Sequence, residues 1–320
     1  MQGRVVTTVR GDIRPEEMGI THAHEHLFIK AGQPSKQDPA LCIDSFEYTK
    51  REVDEIKLLG VQTIVDAQPI GSGRHASWLA ELAVQSDLNI LASTGFHKHS
   101  FYKENHWILT KEPEDLTELF IKELTEGMFA DGEEGWPTEQ LPVRAGLIKT
   151  ATDMEGTAGR YLDLFRSAAK AAIATGSPIM SHTEYGYHAL EQITLYERLG
   201  LPADQLIICH LDRKMENADY MLMVASTGVF LELDTIGRFH YHSDEDEIDL
   251  ILRLLDAGYE DKIILGLDTT RKRMKFYDGG TFGMDHLIVN FMPMLKREGV
   301  SEEIIQKLLV KNPAQAFVKR

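Results

Sequence analysis

Eight short runs rich in apolar and β-branched residues recur along the chain: "GITHAHEHLFI", "VQTIVDAQ", "NILASTGFH", "VRAGLIKTA", "PIMSHTE", "LIICHLD", "GVFLELDT" and "KIILGLDTT". No other feature constrains the fold as strongly. Near-continuous apolar strands belong in a sheet covered on both faces, which is the environment of parallel pairing. Between the runs lie stretches such as "SFEYTKREVDEIKLLG", "HASWLAELAVQSDL", "YLDLFRSAAKAAIATG" and "EDEIDLILRLLDAG", whose apolar residues fall three and four apart, as on one face of a helix. Several end in Gly just before the next strand, a helix stop. Uninterrupted alternation of this kind predicts an α/β protein, and eight units favour a closed (β/α)8 TIM barrel over a doubly wound sheet. No Gly/Pro/Ser linker divides residues 1–320, which therefore read as a single domain. The widest insertion, "HKHSFYKENHWILTKEPEDLTELFIKELTEGMFADGEEGWPTEQLP", comes after the third strand. It is expected to hold one helix and an acidic loop, with part of it over the barrel mouth.

Charge and composition narrow the function. With 50 acidic and 34 basic residues, the net charge of −16 argues against nucleic acid and against an anionic membrane surface. No run reaches the ~18 apolar residues of a membrane span, and the opening segment lacks the apolar core of a signal peptide. Two isolated cysteines, Cys42 and Cys209, suit a reducing compartment. A cytoplasmic location is the expectation. Strand parity turns Cys209 away from the barrel interior, as a small buried hydrophobe.

In such a barrel the C-terminal ends of the strands share one mouth. The residues there are His24 and His26 on strand one, Lys149 on strand four, His182 on strand five, His210 on strand six and Asp268 on strand eight. The i, i+2 spacing of His24 and His26 lets both reach one ion. A lone histidine in an apolar strand is more often a satisfied core residue than a ligand, but four on one barrel face make a metal site the better reading. His22 shares that face by parity, and nothing else marks it as a ligand. Lys149 lies among carbons, where desolvation penalises an ammonium. Snorkelling to the mouth is the ordinary outcome for such a lysine. The chemical alternative is a neutral amine that takes up carbon dioxide to become an anionic, bridging carbamate.

This set resembles the binuclear site of the amidohydrolase superfamily. The wording "THAHEH", "RAGLIKT", "GSPIMSHTE", "LIICHLD", "ILGLDTT" and "LLVKNPAQAF" is similar to its phosphotriesterase family, which includes the phosphotriesterase-like lactonases. The resemblance implies two divalent ions, zinc in first place with manganese or cobalt as substitutes. His24, His26 and Asp268 would hold the more buried ion, His182 and His210 the more exposed one, with Lys149 bridging as N6-carboxylysine. It further implies attack by a metal-bridging hydroxide, with Asp268 shuttling the proton to the leaving group.

The loops after strands seven and eight form the recurrent phosphate site of such barrels. Here they carry Arg238 and then Arg271, Lys272, Arg273 and Tyr277. Guanidinium groups match phosphate oxygens in pairs. Charge runs are usually solvated, but this one sits directly behind the presumed metal aspartate in a strongly acidic chain, which favours an anion site. Lys98 and Arg74 could add to it. Three contiguous cations are a poor fit to a neutral organophosphate or a long-acyl lactone. The expected substrate is a small phosphorylated sugar lactone (a sugar-1,4-lactone phosphate). Alternatives are a phosphotriesterase, phosphoesterase, amidase or deacylase on the same site, and then a non-catalytic metabolite-binding barrel. Trp78, Trp107 and Trp136 read as packing anchors. The family habit of dimerising, with the apolar "IVNFMPML", suggests a homodimer.

Overall fold

The computed structural model describes residues 4–214, 218–277, 279–280 and 282–320. An antiparallel hairpin, β1 (Val6–Thr8) and β2 (Gly11–Ile13), opens the chain. Eight strands come next: β3 (Ile20–Glu25), β4 (Val61–Asp66), β5 (Asn89–Gly95), β6 (Leu147–Ala151), β7 (Ile179–His182), β8 (Leu206–Cys209), β9 (Phe230–Leu233) and β10 (Ile263–Leu265). Each pairs in parallel with the next, so sequence order is spatial order. Past β10, the amides of Leu267 and Asp268 donate to the His24 carbonyl at 3.3 and 2.9 Å, joining the last strand to the first. The expected (β/α)8 barrel is the fold.

The helices between strands begin and end where local chemistry dictates. Ser45 caps the helix Phe46–Leu58 by accepting from the Tyr48 amide, and Ser243 caps Asp244–Asp256 through Asp246. Four acidic residues in the first turn of the latter oppose its dipole favourably. Gly176, at φ 70°, ends the helix Arg160–Thr175 in the left-handed conformation that glycine adopts without strain. Among the described residues no helix is long and apolar enough to cross a membrane.

Two apolar cores result. One lies between strands and helices. The other fills the bottom of the barrel, where Leu91, Leu147, Met180, Ile207 and Phe230 meet Val6 and Met18 from the N-terminal segment and Phe317 near the end of the chain. The hairpin and the C-terminal segment are joined by the Lys319 amide, which donates to the Val5 carbonyl at 2.8 Å. The base is thus closed by carbon, and polar groups face the other end. Cys209 belongs to this inner cluster, contrary to the parity expectation. Parity fails because His210 leaves the extended conformation, at φ 63°, so Cys209 and His210 do not alternate as strand neighbours do.

The insertion after β5 holds two α-helices, Trp107–Thr110 and Pro113–Thr125, where one helix was expected. Its first residues line the mouth. Its acidic loop docks on the loop after β4, with the Gly73 amide donating to Glu133 at 2.8 Å. In the late "IVNFMPML" segment, Phe291, Met292 and Leu295 are buried in the chain's own core, as is Leu287 just before it, leaving Val289 exposed.

Candidate active site

Close approach of backbones sets the positions of the central side chains. A Cβ on Gly95 of β5 would lie 2.0 Å from the Lys149 carbonyl oxygen, so only glycine lets β5 lie against β6 at this level. A Cβ on Gly266 would lie 2.7 Å from Cβ of His24 and 2.8 Å from its amide nitrogen. The chain beyond β10 therefore passes tightly over the first histidine and delivers Asp268 beside it.

A cavity of about 320 Å³ opens at this end, and its wall includes His24, His26, Lys149, His182, His210 and Asp268. Nε2 of His26 lies 3.2 Å from Oδ1 of Asp268, and Nε2 of His24 lies 3.8 Å from the same oxygen. The His24 and His210 rings are 5.0 Å apart and those of His182 and His210 4.3 Å. Nζ of Lys149, fully buried, sits 3.4 Å from Nε2 of His24 and 3.7 Å from Sγ of Cys209. Ligands bonded at about 2.0–2.2 Å to one ion must lie this close to one another. The donor atoms of His24, His26 and Asp268 do so, all within 4.8 Å.

A layer of carboxylates backs the histidines. Glu232 accepts from Nδ1 of His24 at 2.6 Å, and Asp234 accepts from Nδ1 of His210 at 2.6 Å and from its amide at 3.1 Å. With Nδ1 so engaged, each ring presents Nε2, the arrangement that fixes tautomer and orientation in metal-binding histidines. The sequence reading missed both acids, although their place in the apolar run "GVFLELDT" was a signal. His22 turns instead to Glu25, 2.9 Å away, and so stays outside the candidate ligand set.

Burial, aided by Lys98 and Arg213 at His182 and by Arg213 and His182 at His210, holds both imidazoles well below the usual histidine range, as neutral donors. At His24 burial and Lys149 act the same way, but Glu232 and Asp234 prevail and raise it well above that range. A cation at Nε2 would replace the proton held there. Burial would raise Asp268, yet Arg238, His26 and Arg213 hold it well below the carboxylate range.

The cations of the cavity are not the ones the basic run suggested. Arg213 and Arg238 each donate to Oδ2 of Asp268 at 2.5 Å, and both guanidinium groups lie over the Tyr241 ring, at 5.5 and 6.0 Å. Lys98 lines the same cavity and pairs with Glu184 at 2.7 Å. Arg271 reaches Asp44 at 2.7 Å and the Cys42 carbonyl at 3.2 Å. Arg273 is half-buried and donates to the carbonyls of Leu267 and Ile236, tying together the loops after β9 and β10. The Tyr277 hydroxyl donates to the Ser45 carbonyl at 2.8 Å and lies 2.7 Å from the Thr49 hydroxyl. Lys272 is exposed and outside the cavity wall. Arg74 forms a buried fork on Glu123. Of the expected substrate contacts, then, the cavity receives Lys98 and Arg238. Arg213 was overlooked because "CHLDR" drew attention only to its histidine.

Three comparisons with known proteins bear on the family and the fold. The profile of the Phosphotriesterase family matches residues 4–317. A phospho-furanose lactonase of Mycoplasmopsis synoviae is 33% identical over 327 residues, spanning 99% of this chain and 92% of the relative. Among solved structures, a lactonase from Listeria monocytogenes superposes with a TM-score of 0.89 at 28% identity, covering 99% of both chains. The phosphotriesterase homology protein of Escherichia coli, solved with phosphate in its active site, superposes with a TM-score of 0.85 at 27% identity, covering 94% of this chain and 99% of that one. With a barrel, a histidine-lined mouth and a family match over nearly its whole length, the chain belongs to the phosphotriesterase family.

Proposed function

We propose that the protein is a metal-dependent hydrolase that opens the lactone ring of a phosphorylated sugar. The observation that carries this reading is the convergence of Arg213 and Arg238 on Asp268, inside the cavity that holds the histidines. Two guanidinium groups lying over a tyrosine ring make a directed anion site, and Lys98, paired with Glu184, stands on the same wall. The names of the relatives, a phospho-furanose lactonase and a lactonase, point the same way.

His24, His26 and Asp268 would hold one divalent ion, His182 and His210 the other, with Lys149 between them as a carbamate. Among the described residues no carboxylate pairs with the Lys149 amine, which leaves it available for carboxylation. The donor set of imidazoles and carboxylates suits zinc, and manganese or cobalt would also fit. When bound, the ions supply Lewis acidity toward the carbonyl and water activation at neutral pH. Glu232 and Asp234 keep the ligand rings aimed. Asp268 Oδ1 faces the histidines, while Oδ2 is neutralised by the arginines. A substrate phosphate would compete for those arginines and leave Oδ2 open to carry the proton from water to the leaving alkoxide. We place the enzyme in the cytoplasm, acting on a small anionic substrate, with neither nucleic acid nor membrane as partner.

A pH-indicator screen of sugar 1,4-lactones with and without a terminal phosphate tests this. The phosphorylated set should be hydrolysed preferentially, and Arg213→Ala or Arg238→Ala should raise KM for that set far more than for neutral lactones. Equal rates on both sets would overturn the phosphate claim. A rise in KM with Arg271→Ala but not with Arg213→Ala would return the anion site to the basic run. Phosphotriester or amide hydrolysis without lactone hydrolysis would change the bond assigned.

A further inference from the structure

Outside the cavity wall lies a second group of ligand-type residues that the proposed chemistry does not use. Asp212 stands in the turn after β8, His242 in the loop after β9, and Glu247 in the first turn of the helix Asp244–Asp256. Donor atoms from the three lie within 4.8 Å of one another. All three side chains are at least nine-tenths buried.

Their hydrogen bonding is incomplete in a specific way. Asp212 uses Oδ2 to accept from the Thr235 amide at 2.6 Å, and its Oδ1 has no hydrogen-bond partner among the described residues. His242 donates Nδ1–H to the Ser243 carbonyl at 2.9 Å, which in the neutral ring leaves the lone pair on Nε2. That Nε2 lies 3.1 Å from Oε2 of Glu247 without the alignment of a hydrogen bond. Among the described residues neither oxygen of Glu247 has a hydrogen-bond partner. Asp212 Oδ1, Nε2 of His242 and the Glu247 carboxyl therefore face one small volume from three elements without a hydrogen bond between them. Buried polar groups are satisfied in the great majority of native structures, so a cluster of orphans needs a cause. Burial, reinforced by the carboxylates of Asp212, Asp234, Asp244 and Asp246, raises Glu247 well above its usual range, a repulsion that a bound cation relieves.

We propose that Asp212, His242 and Glu247 form a third divalent-cation site, distinct from the catalytic pair and structural in role. One imidazole and two carboxylates suit a zinc-type ion at about 2.0–2.2 Å better than calcium, which takes six or more oxygens. The ion would staple the turn after β8 and the loop after β9 to the helix Asp244–Asp256. Those two segments carry Arg213 and Arg238, so the staple would hold the spacing of the anion site. This site is independent of the substrate proposed above.

The test is Zn²⁺ stoichiometry of the full-length protein, by competition with a chromophoric chelator, together with anomalous diffraction at the zinc edge. Wild type should bind one equivalent more than Glu247→Gln, and anomalous density should lie between the three side chains. The cavity variant His182→Ala should retain that density, which separates this site from the catalytic one. Equal stoichiometry in wild type, Glu247→Gln and His242→Gln, with no density at the cluster, would overturn the proposal and leave a proton-sharing carboxyl pair. Should Glu247→Gln not fold, His242→Gln reports the same difference and the wild-type density decides alone.

Discussion

Arg74 and Glu123 offer a sharp test of how the insertion after β5 is held. Nη1 and Nη2 of Arg74 reach the two carboxylate oxygens at 2.8 and 2.6 Å and also the carbonyls of Ser93 and Phe129 at 2.8 and 3.0 Å. Glu123 additionally accepts from the Phe129 amide at 2.8 Å. Both side chains are essentially fully buried. Glu123→Ala therefore strands a guanidinium and an amide where water does not reach. Removing one partner of a buried pair costs roughly 3–5 kcal/mol. At about 2.1 cal/mol/K per residue, a chain of this length has an unfolding entropy near 0.7 kcal/mol/K, so the expected fall in Tm is about 4–7 °C. The assay is thermal unfolding of wild type, Glu123→Ala and the double variant Arg74→Met/Glu123→Leu. The double variant should recover most of the loss, because two apolar groups leave no charge unpaired. A fall below about 1.5 °C, equivalent to roughly 1 kcal/mol, would refute the argument. So would a double variant no better than the single one. Arg74→Met/Glu123→Leu should also leave KM for a phosphorylated lactone unchanged, since Arg74 serves the scaffold.

Three further outcomes are expected. Asp234→Ala removes the carboxylate that orients His210, and should weaken metal binding by about 10–100-fold in chelator competition; unchanged affinity would show that the ring is held by packing alone. Gly266→Ala forces a methyl against His24, and should cost roughly 1–3 kcal/mol in denaturant unfolding and reduce activity more than this loss of stability explains. Glu52, buried while accepting from the amides of Phe276 and Met284, is pushed by burial from 4.5 to about 7, against the pull of those hydrogen bonds. The folded chain thus holds a proton there that the unfolded chain has released. Its contribution to stability is full below about pH 4.5 and lost as pH rises through 7. Glu52→Gln should flatten that part of the Tm–pH curve; an identical slope in both proteins would sink the assignment.

The strands and the six candidate ligands were legible because both leave a one-dimensional trace. An apolar run reports burial on two faces, and the residue that ends it marks the mouth. What failed to show depends on partners far along the chain. The direction of Arg271 is set by Asp44, 227 positions away, and that of Arg273 by carbonyls on two loops. No spacing rule announces either. Arg213 was within reach, since it lies just past β8 as Lys98 and Arg238 lie just past β5 and β9, and those two were found on that ground. The N-terminal hairpin has strands of three residues, too short for any alternation to register. Cys209 was misplaced because parity assumes an unbroken strand, and the strand ends at it.

The two positive φ angles among the candidate ligands, 63° at His210 and 47° at Asp268, filter which residues these positions accept. Left-handed backbone costs most side chains about 1–2 kcal/mol, whereas Asn, Asp and His occupy it several times more often than other non-glycine residues. The local chain conformation therefore narrows the usable alphabet before any ion is considered. Cysteine at 210 or glutamate at 268 would meet the backbone cost as well as altered reach. Asparagine at 268 would meet neither, keeping length and torsion while giving up the charge and the proton. Asp268→Asn is accordingly the variant in which an unhydrolysed substrate should be captured on an undistorted barrel.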